Sequence, residues 1–165
     1  MYSELITLMV AYIKTAVDNQ ALEVYDATEP FVEPEGFASV YILPMIPNSP
    51  HAMLDAESYD SVNDVKIFSY RSSKTIKVRV DFRGVDCFDN MGLFESSFLL
   101  ESKRALLKES GFGFLGLGEI SPITNIRGTE AKPGATATLT LSASRVIEDQ
   151  SQVIKTIDIV TTKTN

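Results

Sequence analysis

The sequence predicts an α+β domain: an antiparallel or mixed sheet with a long helix packed on it, a short N-terminal helix, and a projecting loop or hairpin arm. Three observations predict it. Ile76, Val78, Val80 and Phe82 alternate with Lys77, Arg79, Asp81 and Arg83, the period of a strand with one dry and one wet face. After the polar corner Gly84–Val85–Asp86 the apolar pattern becomes helical as far as Glu109. Beyond it, Ala135, Ala137, Leu139, Leu141 and Ala143 alternate with Thr136, Thr138, Thr140, Ser142 and Ser144. Half-polar strands on both sides of one helix favour antiparallel pairing.

The elements follow in order. Leu5, Ile6, Met9, Ile13 and Val17 recur at helical spacing, and Ser3 is a suitable N-cap, which predicts a helix over Ser3–Asn19. Leu22–Tyr25 reads as a short strand, and Asp26–Gly36, acidic and carrying Pro30 and Pro34, as an exposed connection. Phe37–Leu43 is rich in β-formers and stops at Pro44. Pro44–Asp64 holds three prolines and scattered apolar residues, Met53, Leu54 and Tyr59, among polar ones. A connection this long inside a domain is usually functional or disordered, so it reads as a projecting arm.

Val65–Arg71 and Lys74–Arg83 flank Ser72–Ser73 and predict a β-hairpin. The long helix is expected over Asp89–Glu109, ended by Gly111. Gly134–Arg145 forms the next strand, and Val153–Val160 closes the sheet after a polar turn at Glu148–Gln152. With 165 residues and no repeat, the whole chain, 1–165, is expected to be a single domain bearing the arm at 44–64.

Composition excludes several classes. A net charge of −7 opposes a protein that grips nucleic acid through its phosphates. One cysteine, Cys87, rules out an intramolecular disulfide and suits a reducing compartment. Leu5–Val10 is a short apolar run with no basic residues before it, and Gly111–Gly118 is too short to span a bilayer. The expectation is a soluble, intracellular protein with no membrane contact.

No catalytic set stands out. Gly111–Gly116 fits G-x-G-x-x-G by letter, but a dinucleotide site needs a strand before the glycines and a helix after them. Here a helix precedes and Pro122 follows, so a flexible, close-packing turn is expected. Asp81, Asp86 and Asp89 crowd one corner and suit a magnesium or manganese site; the commoner role is for Asp86 or Asp89 to cap the helix while Asp81 sits on the wet face. His51 and Cys87 are each alone of their kind, with no third group to orient a nucleophile. No cofactor and no resident metal are expected. On the helix, Phe94, Phe98 and Ala105 form one stripe; Leu93, Leu100 and Leu107 form a neighbouring one, widened by Leu99 and Leu106. So wide an apolar surface needs cover from a second body, either the first helix or another subunit.

The sequence resembles the bacteriophage neck or tail-terminator family, also called tail-completion proteins. The resemblance rests on the short N-terminal helix, the strand entry Pro34–Gly36–Phe37–Ala38–Ser39–Val40–Tyr41, the basic-alternating strand Lys77–Arg83, and the turn Gly84–Val85–Asp86. It continues through the helix with Phe94, Leu99–Leu100 and Leu106–Leu107, then Gly111 and the strand Thr136–Arg145. It spans most of the chain as an order of elements without a diagnostic motif, and aligns least at Pro44–Asp64 and Gly113–Lys132.

The resemblance implies a structural virion protein without enzymatic activity, assembled in the host cytoplasm. It would form a homomeric ring, usually of six subunits, at the end of the tail tube or the head–tail neck. The tail tube and the head–tail connector are the implied partners, and DNA passes through the lumen without specific binding. The expected subunit interface uses the arm, with Met53, Leu54 and Tyr59, and the stripe Leu93, Leu100 and Leu107. Lys77, Arg79 and Arg83 are expected to meet acidic residues of an adjoining subunit from Glu23–Glu35. A small-molecule-binding module, or a magnesium-dependent enzyme using Asp81, Asp86 and Asp89, remains the alternative from a different class.

Overall fold

The computed structural model describes residues 2–30, 33–44, 46–47, 53–63, 65–127 and 130–152. These divide into two compact units, one from residues 1–48 with 73–144 and the other from 49–72 with 145–165. The fold is α+β with a mixed sheet, as the strand periods predict.

In the first unit the strand order is β1 (Glu23–Asp26), β2 (Phe37–Ile42), residues 73–83 of β5 (Val65–Arg83), residues 130–144 of β8 (Glu130–Gln152), β6 (Phe112–Leu117). β1 and β2 run parallel, while β2 lies antiparallel to β5 with Val40 opposite Val80. The two residues of β3 (Ile46–Pro47) pair with Thr75 and Lys74. β7 (Ser121–Arg127) continues the ladder of β6 along β8. Ala38, Val40, Ile76, Val78, Val80, Phe82, Ala135, Ala137, Leu139 and Leu141 are buried on one face of this sheet. Over them lie Leu5, Met9, Tyr12 and Ile13 of α1 (Tyr2–Ala16), Cys87, Met91 and Phe94 of α2 (Cys87–Ser97), and Leu107 of α3 (Glu101–Glu109). Each large side chain so buried contributes about 1.5–3 kcal/mol of transfer free energy.

Several sequence expectations need correction. α1 begins before Ser3, which lies inside the helix and is not its cap, and it ends at Ala16. Asp18 there takes φ 52°, a left-handed conformation that stops the helix. Ser72–Ser73 is no turn, because β5 runs unbroken through 19 residues. Two serines supply no positive φ, and antiparallel partners on both sides of them hold the backbone extended. Past Gly111, the segment to Gly116 is not a turn either: Phe112 and Phe114 alternate onto the core and draw it into β6. β8 runs straight through Glu148–Gln152. The expected strand Val153–Val160 lies outside the described residues.

The single long helix is two helices. Phe98, Leu99 and Leu100 donate their amides to Glu95, Ser96 and Ser97, three residues back, which tightens the end of α2. Leu100 is then extended, at φ −93° and ψ 119°, and α3 restarts after it. The cause is packing. The Phe98 ring stacks on Tyr12 at 5.2 Å and on Phe114 at 4.4 Å, and the restart points Leu107 into the core while leaving Leu99 outside. Gly111 ends α3 as expected, with φ 81° and its amide on the Lys108 carbonyl. Gly84 turns the corner into α2 at φ 102°, where a Cβ would stand 2.8 Å from the Glu35 carbonyl oxygen.

In the second unit, β4 (Met53–Asp60) pairs antiparallel with Val65–Arg71, so the segment expected as an arm contains a strand of its own. Asp60 organises the turn. Its Oδ1 accepts from the amides of Val62 and Asn63, and its Oδ2 from Asn63 Nδ2 at 2.7 Å. Lys66–Glu57 at 2.8 Å and Arg71–Asp55 at 3.0 Å cross the pair on its exposed surface.

Candidate interaction surfaces

The helices cover one face of the first unit's sheet; the other face carries polar and charged side chains. The register sets Phe37 opposite Arg83, Ser39 opposite Asp81, and Tyr41 opposite Arg79, all on that second face. Lys77, Arg79 and Arg83 therefore do share one side of a strand, as their spacing predicts. They are not equivalent. Arg79 lies over the Tyr41 ring at 5.5 Å and contacts Asp81 at 3.5 Å, and Asp81 also accepts a hydrogen bond from Thr136. Lys77 is exposed. Arg83 is tucked against Gly134, and its buried Nη1 makes no hydrogen bond among the described residues. The sequence hid this, because burial of a strand-end arginine depends on the close approach of Gly134.

The second surface is the corner between α2 and α3. Leu93 is 49% exposed, Leu99 82% and Leu100 52%, whereas Leu107 is 1% exposed. The expected stripe is thus split by the helix break: Leu93 and Leu100 remain outside, and Leu107 is core and unavailable to a partner. In the second unit Met53, Leu54 and Tyr59 are exposed at 70%, 56% and 51%, so β4 presents apolar side chains to solvent.

The acidic corner does not assemble into a metal site. Asp81, expected on the wet face of its strand, is buried there and engaged by Thr136 and Arg79, while Asp86 and Asp89 are exposed at the start of α2. No metal-ligating group of three appears among the described residues. Asp86 holds the N-cap position, but its side chain makes no capping hydrogen bond. Cys87 is buried, and desolvation raises its thiol above the ordinary value, the setting of an inert thiol. His51 lies outside the described residues.

Two grooves mark the first unit. One, about 760 Å³, includes Leu22, Gly36, Arg83, Val85, Asp86 and Lys132 in its lining. The other, about 630 Å³, runs between α3 and β6 along Arg104, Ala105, Lys108, Phe112 and Phe114. The alternating phenylalanines were the available sequence signal for this second groove, masked by the glycines between them. No helix among the described residues is long and apolar enough to cross a membrane.

Among solved structures, the chain is similar to the PVC sheath/tube terminator of an extracellular contractile injection system, determined by cryo-EM in the extended state. The TM-score is 0.50 at 8% identity, and the match covers 100% of this chain and 64% of that one. At that identity the likeness shows the fold alone, and this chain spans less than two thirds of the other's length. No curated protein matches the sequence. The family described as phage neck terminator protein matches residues 3–165, nearly the full length. A structural component of the phage tail or neck is what that match describes, and the chain belongs to the phage neck terminator family.

Proposed function

We propose that the protein closes the end of a phage tail tube as a homomeric ring, six subunits around a lumen through which DNA passes without being held. The match to neck terminators over residues 3–165 carries this reading. Two features of the chain support the ring. Leu93, Leu99 and Leu100 form an exposed aliphatic corner, and such a surface normally marks an interface. A head-to-tail contact repeated around a closed ring buries about 800 Å² per partner when specific. Lys77, Arg79 and Arg83 supply a partly basic sheet face for acidic residues of the next subunit, with Glu23, Glu29 and Glu35 exposed to meet it. Such charge pairing fixes register more than affinity. The net charge of −7 suits a lumen that does not retain DNA.

The tail tube and the head–tail connector are the neighbours of this ring, and assembly takes place in the host cytoplasm before the particle is complete. Native mass measurement of Leu100→Glu against wild type tests the contact. Wild type is expected as a closed oligomer and the variant as smaller species with an unchanged cooperative melt. An unfolded variant would mean that Leu100 serves the subunit's own core, and an unaltered oligomer would remove the corner from the interface.

A further inference from the structure

The described residues of the second unit form no core: none of them is buried. A strand pair in that state is marginal in water until one of its faces is covered. The register of β4 on β5 sorts the side chains. Leu54 opposes Tyr70, Glu57 opposes Phe68 and Tyr59 opposes Lys66, so these residues share one face. Lys66 and Glu57 offset one another at 2.8 Å, and the rest of the face is Leu54, Tyr59, Phe68 and Tyr70. It therefore offers a neighbour apolar and aromatic side chains with no net charge to desolvate. The outer edge of β4 is different. Its register shifts between Leu54 and Ala56, and the strand carries Asp55, Glu57 and Asp60. A bulged, acidic edge opposes an added strand, so a partner here meets the face.

We infer that this face, with Leu54, Tyr59, Phe68 and Tyr70, seats on the Leu93, Leu99 and Leu100 corner of a second copy of the chain. The inference deepens the ring reading and rests on it for the second copy. In a closed ring of more than two subunits every contact joins two unlike surfaces, so one leucine corner cannot meet another. It needs a different apolar surface on its neighbour, and the strand-pair face is such a surface. The corner lies in the first unit and the face in the second, so each chain carries both halves of the contact and gives them to different neighbours. Their sizes agree with this. Eight residues of β4 make the face about 27 Å long at about 3.4 Å per residue. Apolar patches of a few hundred Å² supply the dry centre of a contact that buries about 800 Å² per partner. Glu95 and Glu101, exposed beside the leucines, supply its polar rim.

The test places p-benzoylphenylalanine at position 54 of the full chain, assembles it together with a heavy-isotope-labelled copy, and maps the photoproducts by mass spectrometry. Cross-links from position 54 to residues 93–100 of the differently labelled copy are expected. Moved to position 99, the same probe should mark residues 54–70 of the other copy. Leu99→Glu should lower the yield from position 54 at least about tenfold, since it sets a carboxylate against Leu54 and the aromatic rings. Leu99 is 82% exposed, so the subunit's own cooperative melt should not change. Cross-links within one copy, to other segments, or none in an assembled oligomer would overturn the inference while leaving the ring reading standing. A yield untouched by Leu99→Glu would overturn it as well, and a wild-type monomer would overturn both.

Discussion

Asp60 shows how one side chain sets a local structure that the sequence left as a featureless arm. The side-chain amide of Asn63 and the backbone amides of Val62 and Asn63 hold its carboxyl below the ordinary value of 3.8. A carboxylate depressed in the folded state contributes in full above the unfolded value, and its contribution drains away as pH falls through the lower folded value. Protection of the Val62 and Asn63 amides from hydrogen exchange should therefore be lower in Asp60→Ala than in wild type above that range, and equal below it. A difference that persists in strong acid would mean that the carboxylate does not organise the turn. Arg83 makes the complementary point. Its place on the wet face was readable from alternation with Val80 and Phe82. Its buried Nη1, without a hydrogen-bond partner among the described residues, was not, because Gly134 comes from a strand remote in sequence.

At the scale of elements, strands with a clean two-residue period were readable, and those whose pattern was overridden by packing were not. Ile76–Phe82 and Ala135–Leu141 fall in the core as their alternation requires. The helix break was invisible because Leu93, Leu100 and Leu107 keep a seven-residue spacing through it; periodicity carries no record of the ring stack that Phe98 makes with Tyr12 and Phe114. Glycine hid β6 by imitating a loop. The break has a direct test. Glu101 is the first residue of α3 and Leu100 before it is extended, a setting that accepts proline. Glu101→Pro should leave the melting temperature nearly unchanged, whereas a continuous helix would lose on the order of 3 kcal/mol. A strongly destabilised variant would show that the two helices are one. The candidate surfaces divide in the same way: the spacing of Leu93 and Leu100 agrees with their exposure, whereas Leu107, on the same spacing, is core because the break turns its face inward.

For the whole molecule, an acidic chain that carries a partly basic sheet face makes opposite demands on DNA and on neighbouring subunits. Arg79 is already engaged with Asp81 and Tyr41, so part of its charge is offset within the chain and less is left for phosphate. A low-salt gel shift with duplex DNA should show no complex at micromolar protein. Binding with a steep salt dependence, abolished by Arg79→Glu, would mean that this face holds nucleic acid. The central claim is the ring. Negative-stain imaging of the purified protein, alone and with tail tubes, tests it most directly. The account predicts closed, sixfold end-on views with an open centre, and the same rings seated on tube ends; monomeric particles that leave the tube ends bare would contradict it.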